Sequence, residues 1–281
     1  MKEDIKETER DASGVRTPTV AENPWAALRQ FTHARIALGR TGASLPTAPL
    51  LAFTLAHAQA RDAVHARLDT HALRSELERR ALDSIEVRSG ARDRAQYLRR
   101  PDLGRMLDAD SAALLGQHAA SAQARPELVF VIADGLSSKA AELHALPLLD
   151  RTIARLNDWR VGSIVVATQA RVAIGDPIGE LMRADIVAVL IGERPGLSSP
   201  ASLGVYLTYG PRVGRSDAER NCISNVRPEG LSYDAAAFKL VHLLEAARTR
   251  RLTGIGLKDD SVWNGGLPPA DTTTPYKVTD G

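Results

Sequence analysis

Apolar positions follow two patterns along the chain, and the change falls near residue 120. From Asn23 onward they recur at helical spacing. Asn23-Pro24 offers a cap and a first-turn proline, with Trp25, Leu28, Phe31, Thr32 and Ile36 on one face. Thr47-Ala-Pro-Leu50 opens a second helix whose face carries Leu51, Leu55, Ala58 and Asp62, and Leu73 to Leu82 reads as a third. Pro101 to Gly104 restarts the period through Leu107, Leu114 and Leu115. Beyond residue 120 continuous apolar runs alternate with helical segments. Leu128-Val-Phe-Val-Ile-Ala133 is an unbroken apolar run, which predicts a strand buried on both faces. Asp134-Gly135 supplies a turn, Ser137 and Ser138 supply a cap, and the residues from Ala140 to Leu149 supply a helix.

Val161 to Thr168 and Asp185 to Gly192 repeat the buried-strand pattern with helical segments between, and Gly204 to Tyr209 has the β-propensity of a further strand. Strands alternating with helices predict an α/β fold: a Rossmann-like open parallel sheet preceded by a smaller helical N-terminal domain. The expected divisions are a polar tail over 1–22, the helical domain over 23–120, the α/β domain over 121–263 and a second tail over 264–281. The tails read as disordered because they are polar, or rich in Pro, Thr and Gly, and lack a period. The helix after Ser232 carries Ala237, Leu240, Val241 and Leu244, and Gly254 follows its end.

In such a sheet a ligand crevice lies at the carboxyl ends of the strands. Those ends are Asp134-Gly135, Gln169 to Val172, and Gly192 to Pro200, together expected to form one crevice. No glycine fingerprint of a dinucleotide site follows the first strand, and no phosphate-loop motif exists, which argues against standard dinucleotide or NTP binding. Asp134 reads equally as a base or ligand acceptor and as a turn former. Glu193, stiffened between a strand end and Pro195, is the more informative carboxylate. Cys222 reads as a small buried packing residue and not a nucleophile. His57 and His65 are eight apart, too far to share a metal on one helix. The arginine-rich segment Arg88 to Arg100 around Tyr97 reads as a partner-facing surface or a solvated connector.

Composition narrows the classes further. A formal net charge of +2 supplies no field for nucleic acid, and the Arg248 to Arg251 run reads as cations at a helix C-terminus. One cysteine excludes an internal disulfide framework and suits a reducing cytoplasm. No run of 18 apolar residues predicts a membrane span, and the charged N-terminus is not a secretory signal.

Four segments carry a resemblance: VFVIADGLSS (129–138), ATQARVAIGDPIGE (167–180), the long block from VLIGERPGLSS to RNCISNVRPEGLSY (189–233), and LTGIGLKDD (252–260). They resemble the small subunit of ethanolamine ammonia-lyase from about Asn23 to Asp260. The resemblance implies adenosylcobalamin as cofactor, held between this chain and a TIM-barrel large subunit in a hetero-oligomer. It also implies radical conversion of ethanolamine to acetaldehyde and ammonia, with ethanolamine bound mainly by the large subunit. Matching motifs place cobalamin contacts on Val172, Glu193 and Cys222, with no catalytic acid, base or nucleophile in this chain. A cytoplasmic location follows, and a bacterial microcompartment is compatible with it. Two other classes stay open on the residues alone: a free-standing α/β module for a nucleotide-like ligand, and a structural subunit without cofactor contact.

Overall fold

In a computed structural model the described residues are 8–10, 16–18, 23–32 and 34–265. Most of the expected N-terminal tail, and the C-terminal tail from residue 266, lie outside them. Two short strands, β1 (Thr8–Arg10) and β2 (Arg16–Pro18), pair antiparallel. The chain divides into two compact units, one of residues 1–61 with 196–199, the other of residues 62–195 with 200–281. The first unit carries a 3₁₀ helix over Pro24–Phe31, capped by the Asn23 side chain, and most of α1 (Thr47–His65).

The second unit is built on a six-stranded sheet. Its strands are β3 (Ser84–Arg88), β4 (Leu128–Ala133), β5 (Ile164–Thr168), β6 (Ile186–Gly192), β7 (Leu203–Tyr209) and β8 (Asn221–Val226), in the order β3-β5-β4-β6-β7-β8. The helices are α2 (Thr70–Arg79), α3 (Arg94–Arg99), α4 (Ala109–Ser121), α5 (Ser138–Ile153), α6 (Gly175–Leu181) and α7 (Tyr233–Arg250). Ser137 and Ser232 cap α5 and α7 through their side chains, and the arginine run 248–251 does lie at the end of α7.

The fold is α/β, and the sheet is mixed. Strands β3, β5, β4 and β6 are parallel, whereas β7 runs antiparallel to β6 and β8 antiparallel to β7, which corrects the expectation of an all-parallel sheet. Only ten residues separate β6 from β7. A parallel return needs a crossover of a dozen or more, so the short connection forces the reversal. A second correction concerns β3: Ser84 to Arg88 lies in the region expected to be helical, yet it pairs with β5 along its whole length.

Every residue of β4 is buried, and its side chains alternate between two cores. Leu128, Phe130 and Ile132 pack with α2, α5 and α7, while Val129, Val131 and Ala133 pack with α4 and α6. Each large side chain so buried contributes about 1.5–3 kcal/mol. Helices on both faces explain why the central strands lack an alternating pattern.

Candidate functional site

The turn after β4 is closed by protein. Asp134 is 1% exposed, and its Oδ2 and Oδ1 accept the Gln169 and Ala170 N–H groups, both at 2.9 Å. Arg94 donates to Asp134 Oδ2 at 3.2 Å and to the Gly135 carbonyl at 2.9 Å. Burial pushes the Asp134 carboxyl up, opposed by the two N–H groups and the guanidinium. A Cβ on Gly192 would stand 1.9 Å from the Ser137 carbonyl oxygen, so no ligand enters between the ends of β4 and β6. Asp134 is therefore an anchor. The segment 88–100 is likewise not a solvated surface throughout: Arg94 is buried, and Tyr97, fully buried, donates its hydroxyl to the Ala170 carbonyl at 3.0 Å.

This anchor shapes the loop that leads to Val172. With the Gln169 and Ala170 N–H groups bound to Asp134, Gln169 is held in the left-handed region at φ 55°. Arg171 donates its backbone N–H to the Gly104 carbonyl at 2.7 Å and lays its guanidinium over the Tyr97 ring. Val172 then opens a 3₁₀ turn, half-buried, against the α4/α6 core. That core also receives Tyr206 of β7.

Glu193 follows the last residue of β6, and its backbone N–H donates to the Ser202 carbonyl at 2.9 Å. Its side chain crosses Gly204 to reach β8. A Cβ on Gly204 would stand 3.1 Å from Glu193 Oε1, so glycine leaves the passage open. The register slips between Leu203 and Val205, a bulge that takes Asn225 out of the ladder at φ 59°. The freed Asn225 N–H donates to the Glu193 carboxylate at 3.2 Å, and the Ser202 hydroxyl donates to Oε2 at 2.7 Å.

Cys222 stands opposite Tyr206 in the β7–β8 ladder and so shares its face of the sheet. Cys222 is exposed, which corrects the expectation of a buried residue: it lies on an edge strand. Desolvation nevertheless pushes its thiol up, with Tyr206 opposing and the Glu193 charge adding to the rise. Desolvation also raises the Tyr206 phenol, followed by Cys222 and then Glu193. Glu193, Tyr206 and Cys222 thus lie together as one strip on the face that α6 covers only in part. Val172 is carried on the same side, at the end of β5.

One element of this region had no signal in the sequence. Arg220 binds Asp176 through two bonds of 2.6 and 2.8 Å, with both side chains buried, and also donates to Thr208 Oγ1 at 3.0 Å. The pair ties α6, which follows Val172, to the root of the strand bearing Cys222. Both residues fall within the segments that carry the resemblance, but nothing local in either segment reveals the partner 44 residues away.

A cavity of about 280 Å³ opens at the other end of the sheet, beside Leu82, His118, Trp159, Ser163 and Met182. None of Val172, Glu193 or Cys222 lines it. Among the described residues no cluster of His, Cys, Asp and Glu could hold a metal ion, and no helix is long and apolar enough to cross a membrane.

Fold and site together define an α/β chain with an open, carboxylate-bearing sheet face. The family profile described as ethanolamine ammonia-lyase light chain (EutC) matches residues 22–258. The chain is 55% identical to the ethanolamine ammonia-lyase small subunit of Ralstonia nicotianae, over 86% of its own length and 90% of that protein. It is 56% identical to the protein of the same name from Azotobacter vinelandii, over 88% and 92% of the two chains. A Pseudomonas putida small subunit is 54% identical over 88% and 91%. The chain belongs to the ethanolamine ammonia-lyase light-chain family and is a subunit of a lyase.

Proposed function

We propose that this chain holds adenosylcobalamin against a catalytic large subunit that converts ethanolamine to acetaldehyde and ammonia. The observation that carries the reading is the Glu193 carboxylate, fixed by Ser202 and Asn225 across a glycine on an incompletely covered sheet face. A corrin is a broad planar ring edged with amides, and it needs a flat seat with oriented acceptors. The strip fits that need. Glu193 keeps acceptor capacity beyond the bonds it already receives, since a carboxylate offers about four lone-pair sites. Val172 and Cys222 are assigned the apolar contacts, Cys222 as a neutral thiol.

When bound, the cofactor supplies the radical chemistry. This chain's residues orient it and exclude water. No acid, base or nucleophile is assigned here: Asp134 and Asp176 are already engaged by the protein's own donors, and the Cys222 thiol is pushed away from ionisation. The large subunit completes the site in a hetero-oligomer, and ethanolamine binds mainly there.

Glu193→Gln tests the reading in the reconstituted complex. Loss of a charge-assisted bond to the cofactor should cost about 1.5–3 kcal/mol, or roughly tenfold to over a hundredfold in the cobalamin dissociation constant. Subunit assembly and ethanolamine affinity should be unchanged. An unaltered cobalamin constant would remove Glu193 from the site, and tight cobalamin binding by the isolated chain would favour a free-standing module.

A further inference from the structure

Eight of the fifteen large apolar side chains that stand exposed among the described residues fall between Trp25 and Leu55. The other seven are scattered over the remaining chain. Within that interval the first turns of α1 differ from an ordinary surface helix. Leu50, Leu51, Phe53 and Leu55 are all exposed, Leu51 at 62% and Leu55 at 60%. At 3.6 residues per turn these four side chains cover an arc of about 200°. A surface helix normally shows an apolar stripe and a charged face, and one that is apolar nearly all round is a buried helix. Here the charged face is missing: residues 41–60 contain no Lys, Arg, Asp or Glu.

These features select the occupant. A helix lying on a lipid surface needs a charged outer face, which residues 41–60 do not have. Pairing with the same helix of a second copy covers one stripe and leaves the rest of a 200° arc wet. A groove that encloses the helix covers the whole arc. The segment lies inside residues 22–258, the span shared with the light-chain family, and a light chain has a larger partner. We infer that the Thr47–Leu55 turns of α1 seat in an apolar groove of the large subunit, with Leu51 and Leu55 as anchors. The inference rests on the small-subunit reading and names a further surface of that assembly, besides the Glu193 face.

The test uses the full chain and the large subunit. The double variant Leu51→Glu with Leu55→Glu should keep the circular dichroism of the isolated chain and weaken association on the order of a hundredfold. Hydrogen exchange on the wild-type chain gives an independent readout, with amides of residues 47–60 slowing when the large subunit is added. Wild-type association with unchanged exchange at 47–60, or a variant that assembles like wild type, overturns the inference while leaving the small-subunit reading intact. A variant that loses self-association alone assigns the face to a second copy, and one that loses only vesicle binding assigns it to lipid. No association of the wild-type chain with the large subunit overturns both.

Discussion

Replacing Asp176 with asparagine removes one charge from a buried, bidentate ion pair. Arg220 holds Asp176 at 2.6 and 2.8 Å, with both side chains almost wholly excluded from water. Breaking such a pair costs about 3–5 kcal/mol, because the remaining charge stays buried. Arg220 would keep Thr208 Oγ1 at 3.0 Å, the Arg215 carbonyl at 2.9 Å and the exposed Asp217 at 3.3 Å. The loss should therefore lie near the lower end, about 3 kcal/mol, equivalent to roughly 6–12 °C in Tm for a unit of this size. Thermal and urea unfolding of the isolated chain measure it. The double variant Asp176→Asn with Arg220→Met should regain part of the loss, since an apolar replacement removes the stranded charge. A single-variant cost below about 1 kcal/mol, the value of a surface pair, would refute the reasoning. So would a double variant no more stable than the single one.

Glu219 is held down to about 2, first by the Ser216 backbone N–H, then by the Arg215 guanidinium and the Ser216 hydroxyl. Its folded value lies below the ordinary carboxylate value, so its contribution is present above about pH 4.5 and is lost as pH falls toward 2. Glu219→Gln should flatten part of the fall in Tm between pH 5 and 2.5, and an unchanged slope would exclude the effect. Cys222 should react with iodoacetamide at pH 7.5 more slowly than an unstructured thiol, because its thiol is pushed up; a faster reaction would show an activated thiolate. Cys222→Ala should also retain more cobalamin affinity than Cys222→Phe in the complex, and the reverse order would contradict a packing role. Gly192→Ala places a Cβ 1.9 Å from a backbone oxygen of the α5 cap, so little folded protein should be recovered; a soluble variant with wild-type Tm would show that the turn can yield.

The central strands were legible because β4, β5 and β6 are covered by helices on both faces and are apolar at nearly every position. The capping residues Asn23, Ser137 and Ser232 marked their helices through side-chain oxygens that serve backbone donors two or three residues away. Family membership was equally local, carried by unbroken segments such as GERPGLSS and RNCISN. The edge strands were not legible. In β3 and β8 one face meets water, so Ser84-Ile-Glu-Val-Arg88 and Asn221-Cys-Ile-Ser-Asn-Val226 carry polar residues and lack the continuous apolar run of the central strands. Only pairing with β5 and β7 makes them strands. The partners of the carboxylates were also decided in three dimensions, because they are far apart in sequence: Arg94 lies 40 residues from Asp134, Arg220 lies 44 from Asp176, and Asn225 lies 32 from Glu193. Sequence pattern records which residues must leave water. Which buried charge meets which is decided by how the strands are ordered, and that order follows from packing over the whole sheet.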